Sequence, residues 1–88
     1  MLPIKIEEMR VFKKDLKRVG LSAELVYVLY LLVKKEPLPK RACDHSLWSA
    51  YQEFRECHVR PDLLLVYCYV RDTLELARLG SHSDVFKT

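Results

Sequence analysis

Apolar positions recur along this chain with two different periods, and each change of period marks an element. Ile4 and Ile6 alternate around Lys5, β-branched on one side of an extended segment, so a short strand is expected over residues 3–6. Met9, Phe12, Leu16 and Val19 then fall at helical spacing, flanked by Lys13, Lys14, Lys17 and Arg18, which predicts an amphipathic helix stopping at Gly20. Ser22 is placed to cap a second helix and Glu24 to favour its first turn. Leu25, Val28, Leu29, Leu32 and Val33 give that helix a broad core-facing stripe, Lys34 and Lys35 suit its C-terminal end, and Pro37 and Pro39 stop it. Residues 36–50 show no period. Tyr51 to His58 alternates as a strand, Arg60-Pro61 makes a tight connection, and Asp62 to Val70 is apolar on both faces, as a central strand would be. Arg71-Asp72 is a two-residue turn without the Gly that hairpin turns favour, Thr73 to Leu79 is a further strand, and Ser81 can cap one last helical turn through Phe86.

The predicted order is β-α-α-β-β-β, an α+β fold. Its last three strands form an antiparallel meander, its two helices cover one face, and a short helical turn closes the chain. The 88 residues fit a single domain, 1–88. The opposite face of so small a sheet should be left partly open and concave, a natural place for a site.

Composition narrows the setting. Half the residues are hydrophobic and 31% are charged, which reads as a folded soluble chain. The longest apolar run, Leu63 to Val70, is far shorter than the ~20 residues that span a bilayer. Glu7, Glu8 and Arg10 precede any apolar block, unlike a signal peptide, so a cytoplasmic protein without membrane attachment is expected. Cys43, Cys57 and Cys68 form no CxxC pair and read as small buried side chains in a reducing compartment.

Charge is divided unevenly. Residues 1–44 carry ten Lys/Arg against six Asp/Glu, and residues 45–88 carry five against six, so the net +3 comes from the first half. All three histidines lie in the second half. That separates a surface suited to an anionic partner from groups that titrate near neutral pH. Period-two geometry puts Phe54, Glu56 and His58 on one face and Arg55, Cys57 and Val59 on the other. The order of elements allows His58, Asp62, Arg78 and His82 to meet at one end of the sheet, with His45 in the loop before it. Such a set suits phosphodiester cleavage: one group takes a proton from a ribose 2′-hydroxyl, another protonates the leaving 5′-oxygen, and a cation steadies the phosphorane. The histidine spacings match no standard metal motif, so no metal or cofactor is expected. Spacing alone leaves the ordinary roles open: surface histidines, an Asp62 that merely fixes its turn, and a solvated basic helix.

The motifs are more specific than the spacing. Asp44-His45-Ser46-Leu47, then Phe54-Arg55-Glu56-Cys57-His58-Val59-Arg60-Pro61-Asp62 running into Leu63–Tyr67, then Gly80-Ser81-His82-Ser83-Asp84-Val85-Phe86, resemble the RelE/YafQ family of bacterial toxins, and its YafQ branch in particular. The resemblance is close over residues 44–86; before that it rests on element order and basic helices. It implies a metal-independent, ribosome-dependent endoribonuclease that cuts mRNA and is silenced by an antitoxin encoded beside it, expected to be of ribbon-helix-helix type, with operator DNA reached only through that complex. It implies catalytic positions at His45, His58, Asp62 and His82 and supporting positions at Glu56 and Phe86, with Arg78 standing where the branch offers a phosphate-contacting Arg. His82 and Asp62 are expected to move protons, and His45 and His58 to orient the phosphate and share its charge. In that setting Lys13, Lys14, Lys17 and Arg18 become a candidate surface for ribosomal RNA, and Phe86 and Trp48 candidates for codon contacts. Ser46 departs from the branch's usual Pro, and Ser49 and Tyr51 from its Gly and Trp. The rival expectation is a catalytically weak toxin-fold module that acts as a co-repressor through its antitoxin complex.

Overall fold

The structure, a computed structural model, describes residues 4–46 and 53–86. Strand β1 (Lys5–Glu8) leads into α1 (Arg10–Val19) and α2 (Ala23–Val33). A 3₁₀ turn at Lys40–Ala42 precedes β2 (His45–Ser46), and β3 (Arg55–Arg60), β4 (Leu63–Val70), β5 (Thr73–Gly80) and α3 (His82–Val85) follow. The strands form one five-stranded sheet in the order β1-β5-β4-β3-β2. β1 lies parallel to β5, and every other pairing is antiparallel, so the expected meander is the middle of the sheet.

The helices start and stop where their residues dictate. Ser22 Oγ accepts the Leu25 N–H at 3.2 Å and caps α2. Gly20 donates its N–H to the Leu16 carbonyl at 2.7 Å with φ +89°, a conformation that a side chain would strain. Phe12, Leu25, Val28 and Leu32 pack on the sheet residues Cys57, Leu65, Tyr67, Leu74 and Leu79, so both helices cover one face. Burying each such leucine fully contributes about 1.5–3 kcal/mol. β4 is buried on both faces from Leu63 to Cys68, as its unbroken apolar run predicts.

Four boundaries differ from the sequence reading. The first strand is residues 5–8, not 3–6, and all four of its residues are exposed. Backbone pairing with β5 places it, from Lys5↔Thr73 to Glu8↔Leu76, so side-chain alternation carries little of its position. β3 begins at Arg55 and runs to Arg60, past a register shift between His58 and Arg60, until Pro61 withholds an N–H from the ladder. The stretch 36–50 is less irregular than its letters, since it contains the 3₁₀ turn and β2. β5 continues one residue further, to Gly80. Arg71 takes φ +57° in the β4–β5 turn, filling with an ordinary side chain a conformation that Gly usually supplies. Pro3, Leu47, Trp48, Ser49 and Tyr51 lie outside the described residues.

Candidate active site

The sheet register assembles the face opposite the helices. His45 pairs with Glu56, Glu56 with Val66, and Val66 with Arg78, which makes one row across four strands. His58 pairs with Leu64, and Leu64 with Gly80, which makes the next row. Side chains two residues apart on a strand share a face, so Glu56 and His58 stand side by side. Asp62 sits in the turn that follows β3, at the same end, and is exposed. His82 opens α3, two residues beyond Gly80. With strands about 4.8 Å apart, Gly80 and His58 are separated by about 10 Å across Leu64. The register thus puts His58, the turn that carries Asp62 and the Gly80 that leads to His82 at one end of the sheet, with Arg78 in the adjacent row opposite Val66 and His45 paired in through β2.

His45 and Glu56 are in direct contact. His45 Nε2 lies 3.0 Å from Glu56 Oε1, and Nδ1 lies 3.0 Å from the Ser46 carbonyl. Both neighbours are acceptors, and between them they fix the direction of the ring. Glu56 is 6% exposed, which makes it a fixed mount for a ring that is itself open to solvent.

The residue before His45 anchors the loop from the other side. Asp44 Oδ1 accepts the Tyr67 hydroxyl at 2.5 Å and Arg55 Nε at 3.2 Å, while Arg55 Nη1 donates to Ser46 Oγ at 3.1 Å. Burial first, and then the Asp44 carboxylate, push the Tyr67 phenol above its ordinary value, so it remains a donor. The hydrogen bond to Asp44 likewise raises Arg55. Arg55 thus serves structure on the helix side, as its strand parity predicts. His82 has an aromatic neighbour on its own turn, with Phe86 at 5.0 Å between ring centroids.

Two residues read from sequence as RNA contacts are engaged within the protein. Arg78 donates from Nε to Asp15 Oδ2 at 2.8 Å and from Nη2 to the Asp84 carbonyl at 3.2 Å. Arg18 reaches Asp15 Oδ1 and Asp84 Oδ2, each at 3.1 Å, and is no simple solvated lysine-like charge. Lys13, Lys14 and Lys17 are exposed on α1. The residue that sequence reasoning missed is Asp15, 5% exposed on the helix side facing β5. Its only signal in the letters is an acid inside the basic run Lys13-Lys14-Asp15-Leu16-Lys17-Arg18. Burial works to raise the Asp15 carboxyl, but hydrogen bonds from Arg78, the Leu79 N–H and Arg18 outweigh it and hold the group below its usual 3.8. The stability it contributes is complete above the unfolded value and is lost as the pH falls through the lower folded value. Asp15→Asn should therefore melt below wild type at neutral pH, with the gap closing as the pH drops under 3.8. Thermal melts across pH 7 to about 2 check this, and a constant gap would contradict it.

The expected concavity lies partly elsewhere. A cavity of about 590 Å³ opens on the helix side, between the start of α2, the 3₁₀ turn and the end of β3. Of the candidate residues only His58 borders it, at the strand end where the register shifts, while its parity with Glu56 keeps it in the row on the opposite face. Central β4 is buried on the open side too, which leaves less hollow there than a bare sheet would. Cys57 and Cys68 are buried, and burial pushes their thiols up to about 12 and about 11. Cys43, contrary to expectation, is exposed, in the left-handed position (φ +48°) that ends the 3₁₀ turn. Among the described residues no three His, Cys, Asp or Glu side chains are arranged to hold a metal ion, and no helix is long and apolar enough to cross a membrane.

Comparison with known proteins shows the family and the fold. The family described as bacterial toxin of type II toxin-antitoxin system, YafQ, matches residues 4–87. The mRNA interferase toxin YafQ of Escherichia coli (strain B / BL21-DE3) is 34% identical over 98% of this chain and 99% of its own. A copper-bound mutant toxin from Helicobacter pylori superposes with a TM-score of 0.89 at 41% identity, covering 94% of this chain and 99% of that one. In the E. coli DinJ–YafQ complex, a chain 34% identical superposes with a TM-score of 0.82, covering 94% and 98%.

Proposed function

The chain belongs to the YafQ family of type II toxins, and on that premise we propose that it is an endoribonuclease that cuts mRNA on the ribosome and is held inactive by an antitoxin. The observation that carries this is the register: adjacent rows of one sheet face place Glu56, with His45 on it, beside His58, at the end where Asp62 turns and α3 presents His82. In the proposed reaction a base removes the ribose 2′-hydroxyl proton, and the oxygen attacks the adjacent phosphorus. An acid protonates the departing 5′-oxygen, leaving a 2′,3′-cyclic phosphate and a 5′-hydroxyl. His82 and Asp62 are the proton-transfer pair. His45, oriented by Glu56 and the Ser46 carbonyl, and His58 face the phosphorane charge. Phe86 supports the His82 ring. Arg78 has Nη1 left for a phosphate once Asp15 and Asp84 have taken Nε and Nη2. Lys13, Lys14 and Lys17 supply sequence-independent attraction to ribosomal RNA.

The partner proposed is a ribbon-helix-helix antitoxin, through which the complex reaches operator DNA. α2 supports a protein partner, because it turns Val26, Tyr27 and Tyr30 to solvent beside Lys34 and Lys35, a face suited to an acidic amphipathic segment. Copper is bound by the Helicobacter relative. Among the described residues the His45–Glu56 pair has no third His, Cys, Asp or Glu grouped with it, and the steps proposed above use side chains alone.

The test is cleavage of mRNA on programmed ribosomes by the purified toxin. The expected products are fragments cut within codons with 5′-hydroxyl ends, and naked RNA should be cut at least about 100-fold more slowly, reflecting lost positioning. Toxin stripped with a chelator beforehand should cleave at its full rate; a loss restored by copper or zinc would overturn metal independence. Harmless expression with intact mRNA would favour the co-repressor module instead.

A further inference from the structure

β1 stops pairing at Leu76, and Met9 donates its N–H to the Leu76 carbonyl as the chain turns into α1. The β5 edge beyond that point would be left without a strand. Two side chains of α1 complete it: Asp15 Oδ2 accepts the Leu79 N–H at 2.9 Å, and Arg18 Nη2 donates to the Leu79 carbonyl at 3.2 Å. The same two side chains reach α3. Arg18 Nη1 donates to Asp84 Oδ2 at 3.1 Å, and Arg78, held by Asp15 at 2.8 Å, donates to the Asp84 carbonyl at 3.2 Å. Asp84 in turn closes a capping box with Ser81, accepting the Ser81 N–H at 3.2 Å and donating its own N–H to Ser81 Oγ at 3.1 Å. Gly80 leaves room for the joint, since a Cβ there would come within 3.0 Å of Asp84 Cβ and 3.1 Å of Arg18 Nη2.

A helix of four residues does not hold its own conformation, so the place of α3 is set by what ties it down. We propose that Asp15 is a positioning residue for His82: through Arg18 and Arg78 it locks α3 to the end of β5, beside the row that carries His58. The inference rests on the ribonuclease reading for its consequence in catalysis, while the geometric claim stands on the joint itself. A displacement of about 1 Å at a reacting group can cost as much as 10²-fold in rate.

Asp15→Asn and Gly80→Ala break the joint from opposite sides. Gly80 has no left-handed φ, so its substitution acts through crowding at Asp84 and Arg18 rather than through backbone strain. Two readouts are made well below each variant's melting temperature. The first is single-turnover cleavage on programmed ribosomes, for which both variants should lose about 10- to 100-fold in maximal rate with the half-saturating ribosome concentration unchanged. The second is the NMR signals of the histidine rings in the free protein: His82 should shift and lose its contacts to Phe86, while His45 and His58 stay in place. If either folded variant keeps wild-type His82 signals, or its rate falls only by its unfolded fraction, the proposal fails. If Asp15→Asn does not fold, Gly80→Ala decides. If the wild type itself cuts nothing, the nuclease reading fails, and the ring signals alone still decide the positioning claim.

Discussion

His82→Ala should abolish growth arrest and lower cleavage on ribosomes by at least about 100-fold, the usual loss when a positioned acid or base is removed. The fold should hardly notice. His82 is exposed, its described contact is the Phe86 ring, and the Ser81–Asp84 capping box that starts α3 does not involve the imidazole. A surface change of this kind stays within about 0.5 kcal/mol, so the melting temperature should move by no more than about 2–4 °C. The contrast is His45→Ala, which strips Glu56 of its partner in a site where that carboxylate is 6% exposed. That variant should lose activity and stability together. Toxicity of His82→Ala equal to wild type, with the protein folded, would remove the proposed proton-transfer chemistry.

The parts of the fold that depend on side-chain period were legible in the letters. Both helices, the Ser22 cap, the doubly buried β4 and the closing turn from Ser81 all follow from local patterns, and the last three strands could pair only as a meander. β1 was legible as a strand but not in position, because its residues are exposed and its register comes from backbone bonds to a strand almost seventy positions away. β2 is two residues long and has no period to read. On the face of the sheet, parity was enough to place Glu56 with His58 and to turn Arg55 away. What no pattern could give was the company each charge keeps. Arg18 and Arg78 look like free cations in a basic chain, yet Asp15 engages both. A buried acid among lysines is visible only once α1 is laid on the edge that β1 vacates. The motif Asp44-His45 shows the same limit. Its two residues point to opposite faces of the sheet, and only the pairing of β2 with β3 shows which one anchors and which one is presented.

That division of labour makes Asp44→Ala a change expected to damage stability and cleavage together. Asp44 is the shared acceptor of Tyr67, which is 1% exposed, and of Arg55. Removing it leaves a buried phenol O–H without its acceptor, which costs about 1–3 kcal/mol, and frees the guanidinium that also steadies Ser46. For a domain of this size the melting temperature should fall by about 4–24 °C. Cleavage should fall too, by about 10-fold or more, because β2 has only His45 and Ser46 to pair and loses the anchor that fixes its approach to β3. Tyr67→Phe supplies the comparison. It removes the donor and leaves Asp44 still paired with Arg55, so it should cost only about 1 kcal/mol and change cleavage little. Melts of the two variants and single-turnover cleavage at a temperature where both are folded separate the effects. A Tyr67→Phe loss as large as that of Asp44→Ala, or an Asp44→Ala toxin cutting at the wild-type rate, would show that His45 is held by something other than the carboxylate beside it.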